Sequence, residues 1–313
     1  MTGLLVRSPI AVDPPALPAR RGLRTYFADP GLLAGSALVA VVVLAAIAAP
    51  MVAAIVGHGP NDQFPDDTLD ASGLPITGGN GFLFGADGSG RDVFVRTLYG
   101  ARISLAIGIP ATTIAMLVGV TVGLVGGYFG GRVDAALSEL TNVALAFPFL
   151  VTALSVVTLN RGTAGTTLVD PIFVVIGIIA LFSWTYFARL VRNSVIELKS
   201  KPFVLAAIGA GGTPARVLLR EILPNIAPTV IIYWAVQLPT NIVAEASLSY
   251  LGVGIKAPTP SWGTMIANAQ DSALYQTQPL MLIAPAGALF VTVLGFNILS
   301  TRLRSRFDPS SAR

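Results

Sequence analysis

Lys201-Pro-Phe-Val-Leu-Ala-Ala-Ile-Gly-Ala-Gly-Gly-Thr-Pro-Ala-Arg-Val-Leu-Leu-Arg-Glu-Ile-Leu-Pro-Asn225 decides how this chain is read. The stretch is too polar and too broken by glycine and proline to cross a bilayer, yet the apolar runs on either side are long enough to do so. Pro202 suits the first turn of a helix, and Phe203 to Ala210 supplies a short run of small and apolar residues. Gly211-Gly212 stops that run. Thr213-Pro214 then offers a cap and first turn for a second short helix, expected to end before Pro224. Phe203, Val204 and Leu205 become apolar side chains on a water-facing hairpin, which implies a partner surface.

Outward from this hairpin the chain is 53% hydrophobic and 12% charged, about half the charge of an ordinary soluble domain. The charges cluster and leave apolar runs able to span about 30 Å of hydrocarbon as helices. Six spans are expected: Gly31–Val56, Ile103–Val125, Ser138–Leu159, Asp170–Val191, Ile226–Leu248 and Pro279–Leu299. Open sheet edges cannot sit in lipid, and the runs are too continuously apolar for barrel strands. The fold class is therefore an all-α membrane protein with six transmembrane helices. The first run starts too far into the chain, and is too long, to be a cleaved signal.

Basic residues orient the bundle. Arg7, Arg20, Arg21, Arg24, Arg132, Arg189, Arg192, Lys199, Lys201, Arg216, Arg220, Arg302, Arg304, Arg306 and Arg313 fall on one side. Only Arg91, Arg96, Arg102, Arg161 and Lys256 fall on the other, together with Asp62, Asp66, Asp67, Asp70, Asp87 and Asp92. Both termini and the hairpin are thus expected to be cytoplasmic. The organisation is a tail over 1–30, a first span over 31–56, an extracytoplasmic loop over 57–102, a transmembrane core over 103–299 with a cytoplasmic loop at 193–225, and a tail over 300–313. The first tail carries five prolines and four arginines and is read as mobile, with a short interfacial helix ahead of the first span. The long outer loop, rich in Gly, Asp and Pro, has the length of a functional segment.

Several chemistries are excluded. No cysteine is present, and His58 is the one histidine, so thiolate and multi-histidine metal sites cannot form. No Gly-x-x-x-x-Gly-Lys-Ser/Thr occurs, and the glycine runs at Gly78-Gly79-Asn80-Gly81 and Gly126-Gly127 read as loop or helix ends. The net charge of +4 reflects basic loops, with no nucleic-acid partner. Glu139 and Glu245 lie near span ends and Asp170 opens a span, but none sits beside a nucleophile–base pair. Glu245 reads equally as a brace at the outer end of span five and as a pathway residue. A stand-alone secondary transporter would need intramembrane ion-coordinating carboxylates and inverted repeats, and a membrane hydrolase a nucleophile with its base; the sequence offers neither. Gly119, Gly123 and Gly127 mark a helix-packing face, and Pro110, Pro148, Pro239 and Pro285 mark kinks.

Phe203-Val-Leu-Ala-Ala-Ile-Gly-Ala-Gly211 followed by Arg220-Glu-Ile-Leu-Pro-Asn225 resembles the "EAA" loop of ABC-importer permease subunits, nearest to the C-type partner of dipeptide/oligopeptide permeases. Phe84-Gly-Ala-Asp-Gly-Ser-Gly-Arg-Asp-Val93, Leu98-Tyr-Gly-Ala-Arg-Ile-Ser-Leu105 and Gly127-Tyr-Phe-Gly-Gly-Arg-Val-Asp134 extend the likeness. So do Ala146-Phe-Pro148, Trp184, Ala188-Arg-Leu-Val-Arg192, Glu245-Ala-Ser-Leu-Ser-Tyr-Leu-Gly252, Pro258-Thr-Pro-Ser-Trp-Gly263, Asn297 and Asp308-Pro309. Their joint order carries the resemblance.

The resemblance implies a type I ABC importer permease fold in a bacterial cytoplasmic (inner) membrane, surrounded by lipid. It implies a non-catalytic subunit paired with a second, B-type permease, two ATPase subunits that hold ATP and Mg, and an extracytoplasmic substrate-binding protein. The chain itself would hold no cofactor or metal. Its cargo would be dipeptides or oligopeptides, with nickel or glutathione as alternatives. The ATPase-coupling loop would comprise Pro202, Phe203, Val204, Leu205, Ala206, Ala207, Gly211, Arg220 and Pro224, and the outer signature Asp87, Gly90, Arg91, Asp92 and Trp262. The chain departs from the pattern where Leu205 and Ile208 replace the usual Glu and Arg, and Glu221 a His. Glu139 and Asn142 stand for Arg and Asp, and Ser300-Thr301 for Gly-Asp.

Overall fold

The computed structural model describes residues 29–160 and 168–307. The expectations for the N-terminal tail, Arg161 and Asp308-Pro309 fall outside these residues. Among the described residues no β-strand forms, and isolated bridges such as Leu69–Pro75 and Ala86–Asp92 pin the long loop.

Helix α1, Pro30–Val56, is capped by the Asp29 carboxylate, which accepts from the Gly31 and Leu32 amides, and ends on left-handed Gly57. Val41, Leu44, Ile47, Met51 and Ile55 form its exposed apolar ridge, while Gly35 lies against Leu299 on the opposite side. Helix α2, Val93–Phe129, starts well before the expected Ile103 because the Asp92 side chain caps it at Val95. Arg96 and Arg102 made its first turns look like loop, whereas they extend the helix beyond its apolar stretch.

The third expected span is broken. α3, Gly131–Ala146, and α4, Phe149–Leu159, meet at an 80° bend. Pro148 has no N–H to continue the ladder and forces its predecessor out of the helical region; Phe147 is accordingly extended, at φ −81°, ψ 130°. Among the described residues five helices are long and apolar enough to cross a membrane, and six if this bent pair is counted as one span.

Helix α5, Pro171–Lys199, capped by Asp170, outruns the expected Val191 and carries Arg192 and Lys199 on its last turns. The short helix α6, Pro202–Gly209, follows. Then α7 runs unbroken over Pro214–Tyr250, so the second short helix expected to stop before Pro224 is the start of a long one. A π turn over Val217–Ile222 absorbs the proline: the Leu223 amide donates to the Leu218 carbonyl, one residue further back than in an α-helix. α8, Trp262–Gln270, and α9, Leu280–Phe307, complete the bundle.

The tightest packing joins α2 to α5. Along α2, a small residue recurs every three or four positions from Thr97 to Gly127, all buried. The glycines expected to pack do so: a Cβ on Gly123 would lie 2.7 Å from the Ala188 carbonyl oxygen, and one on Gly127 2.8 Å from that of Arg192. The upper half of this stripe meets α7 instead. There a buried polar knot ties three helices, with Asn241 Nδ2 donating to Thr112 Oγ1 (2.9 Å) and Ser183 Oγ donating to Asn241 Oδ1 (2.8 Å). Asn241→Ala removes the shared partner of both hydroxyls and is expected to destabilise the protein by about 1–2 kcal/mol. A fall in the detergent melting midpoint would report this. Thr121→Val, on an exposed helix face, should shift stability by no more than about 0.5 kcal/mol.

Candidate functional site

The residues singled out from sequence gather at two opposite ends of the bundle. At one end, α6 sits on the last turns of α5 and the first turns of α7. Pro202 occupies its first turn, and the chain folds back beyond its end so that the Gly212 N–H donates to the Ala207 carbonyl (3.0 Å). Gly211 adopts φ +80°, a left-handed conformation that an L side chain strains to reach. Thr213 caps α7 through its hydroxyl, which accepts from the Arg216 amide.

The three apolar residues expected to face water divide. Phe203 is 41% exposed and Leu205 54%, with Ile208 also exposed. Val204 is 0% exposed and packs into a cluster with Val191 and Val195 of α5 and Val217 and Ile222 of α7. Reading Val204 as a presented side chain is thus corrected: one helical turn points it inward while its neighbours point out. Ala206 is exposed and Ala207 partly buried; Arg220 and Pro224 lie exposed on α7. Beside α6 a cavity of about 290 Å³ is lined by Ala207, Ala210, Gly212, Arg216, Val217 and Glu221. The hairpin therefore offers an apolar ridge next to a recess with one charge of each sign.

Three further interactions, unseen in the sequence, fix this end. The Arg192 guanidinium grips Asp134 of α3 through two nitrogens, Nη2 lying 2.6 Å from Oδ2. Lys199 Nζ donates to the Tyr128 carbonyl (2.5 Å), closing the last turn of α2. Arg189 reaches the neutral Asn142 amide oxygen at 3.1 Å.

At the other end the outer signature is brought together as a brace. The Asp87 carboxylate accepts from the Arg91 side chain (2.8 Å) and from the Arg91 and Ser89 amides. Gly90, at φ +74°, presses on the backbone at Pro65, where a Cβ would lie 2.9 Å from nitrogen. Asp92 caps α2 and pairs with His58 (2.9 Å), whose ring stacks on Phe82. Trp262 is fully buried and donates its indole N–H to the Thr97 carbonyl (3.1 Å). Sequence reading missed His58 and Arg96 as members. Arg96 is buried and donates to the carbonyls of Pro60 (2.6 Å) and Pro258 (3.3 Å), stapling the loops that follow α1 and α7 to α2. Their partners lie far away in the chain, so only the position of Arg96 between two signature segments hinted at its role. Among the described residues no group of three or more His, Asp or Glu side chains is placed to hold a metal.

The family described as "Binding-protein-dependent transport system inner membrane component" matches residues 119–313. The oligopeptide transport system permease protein OppC of Bacillus subtilis (strain 168) is 34% identical over 278 residues, covering 88% of this chain and 85% of that protein. The dipeptide permease DppC of Alkalihalophilus pseudofirmus is 35% identical over 72% of this chain and 71% of its own length. The glutathione permease GsiD of Escherichia coli O157:H7 is 39% identical with the same coverages. In fold, the chain resembles the inward-facing MetNI methionine ABC transporter, with a TM-score of 0.54 at 18% identity over 67% of this chain and 95% of that one.

Proposed function

The chain belongs to the binding-protein-dependent transport system inner membrane component family, and from that membership we propose how it couples, what it carries and which surfaces meet its partners. It is a multi-pass permease subunit of an ABC importer in the inner membrane. Its cargo in this reading is of the peptide class: the relatives are named for oligopeptides, dipeptides and glutathione, which share peptide-bonded backbones. Its partners are a B-type permease, two ATPase subunits that bind ATP and Mg, and an extracytoplasmic binding protein. The bias of basic residues puts both termini and α6 in the cytoplasm and the Arg96 brace outside.

One observation carries the coupling role. α6 presents Phe203 and Leu205 outward while Val204 is locked into α5 and α7. An ATPase that closes on ATP and drags the outer ridge must therefore drag the inner ends of both spans. Because α5 rides on the glycines of α2, that pull reaches the rest of the bundle, and ATP binding at the partner biases a two-state element. The chain would supply geometry, and the partners the hydrolysis.

Purification from native membrane tests this reading. The permease should co-elute with an ATPase pair and a second permease. Reconstituted with the binding protein, the complex should accumulate labelled peptides only when ATP is supplied. A lone chain that transports on an ion gradient would defeat it.

A further inference from the structure

We infer that Glu245 is a positioning residue: through Ser249 it sets the outer loop 251–258 in the shape that the binding protein meets. The Glu245 side chain is 0% exposed. Its Oε2 accepts from Ser104 Oγ of α2 at 2.8 Å, and its Oε1 from Ser249 Oγ, one turn on along α7, at 2.7 Å. An intramembrane carboxylate is by default suspected of serving a pathway, but this one touches neither a cation nor open space. Both oxygens are spoken for by hydroxyls.

The two hydroxyls behave differently from most others on the helices. Serine and threonine on a helix readily bond back to the carbonyl four residues earlier. Here Thr97, Thr112, Thr121, Ser155 and Ser247 do so. Ser104 and Ser249 instead aim at Glu245. A hydroxyl has one proton and two lone pairs. With the Ser249 proton given to the carboxylate, its oxygen is left to accept the Ile255 amide at 3.1 Å. Without the carboxylate nothing holds the Ser249 side chain in the rotamer that faces Ile255; a χ1 swing toward the backbone carbonyl at position 245, the bond that Ser247 makes to Val243, carries Oγ away from the Ile255 amide.

That amide fixes a fold-back. The Val253 and Gly254 amides both donate to the Leu248 carbonyl at 3.0 Å, and a Cβ on Gly254 would lie 2.7 Å from the Ser249 backbone. Val253 and Ile255 are buried with Ile107, Val175 and Leu248. Further on, the Pro258 carbonyl is held by Arg96. Between these anchors the loop displays Tyr250, Leu251, Gly252, Lys256, Ala257 and Pro258, all exposed. A buried ionisable group with two serine donors adds little stability over a well-packed apolar trio; what it does supply here is a direction for the Ser249 proton.

The inference rests on the reading that this end meets the binding protein, and two readouts on the intact reconstituted importer separate them. Hydrogen exchange at Ile255 should quicken at least tenfold in Glu245→Ala and in Ser249→Ala, and no further in the double variant. In the same variants the binding-protein concentration giving half-maximal ATPase stimulation should rise about tenfold, with the maximal rate held within twofold. Glu245→Gln, which keeps one acceptor oxygen, should fall between. Unchanged exchange at Ile255 overturns the positioning role. So does a lowered maximal rate at unchanged half-saturation, which would mark Glu245 as part of the general scaffold or the pathway. Faster exchange with unchanged half-saturation would uphold the loop geometry and overturn docking at this surface.

Discussion

Gly123→Val is expected to remove the folded permease from the membrane. A Cβ at this position would sit 2.7 Å from the Ala188 carbonyl oxygen, 2.7 Å from Val191 Cβ and 2.9 Å from the Arg192 amide nitrogen. Two of these atoms are backbone of α5 and cannot swing aside as a long side chain would. The helices would have to separate, and Gly119 and Gly127 sit on the same seam, so their contacts would loosen with it. Overpacking a rigid core by a methyl or two costs about 1–3 kcal/mol. Lost dispersion along the seam adds to that cost, because a radial gap of about 0.5–1 Å forfeits a quarter to a half of each contact. Against a total stability of about 5–15 kcal/mol, such a loss takes up much of the margin, and proteolysis clears chains that near the threshold. Gly177 provides the control, since nothing lies within 4 Å of a Cβ there; Gly177→Ala should accumulate normally. Quantifying detergent-extracted monodisperse protein distinguishes the two, and normal yield of Gly123→Val would refute the close-packed seam.

Local spacing made that seam legible, because three glycines four apart need no partner to be recognised. The upper half of the stripe was not, since Ser104, Gly108 and Thr112 face α7 residues more than a hundred positions away. Pro148 announced a break, but its 80° size depends on Phe147 turning extended. Charged residues hid helix ends: Arg96, Arg192 and Lys199 lie on helices that outrun their apolar stretches. Val204 looked like Phe203 and Leu205 because polarity is alike at all three; the α6 register against Val191 and Ile222 separates them. The brace residues were legible as a group through resemblance. The pairing of Asp92 with His58 and the grip of Arg96 on the Pro60 and Pro258 carbonyls were not, for those partners come from other segments.

Replacing Phe203 and Leu205 together by alanine is expected to abolish uptake while the permease stays in the membrane at normal abundance. Both side chains are exposed in the isolated chain, so truncation leaves no cavity in the fold. In the assembled importer they would be the ridge buried by the ATPase. Losing two such anchors forfeits about 3–5 kcal/mol of apolar burial, equivalent to roughly 10² to 4 × 10³-fold in affinity. Val204→Asp should fail by another route. An unpaired carboxylate would be driven among Val191, Val195, Val217 and Ile222, so the hairpin itself would come apart and abundance would fall. Pull-down of the ATPase pair alongside membrane yield separates lost docking from lost folding. The leucine at 205 and isoleucine at 208, where a charged pair is usual for the resembling family, also set the salt response. Charge-held association weakens as the screening length shrinks from about 10 Å at 0.1 M to about 3 Å at 1 M, whereas apolar burial does not. Wild-type co-elution should therefore persist across that range. Release of the ATPases in moderate salt, or full uptake by the double alanine variant, would show that the apolar ridge of α6 is not what the partner grips.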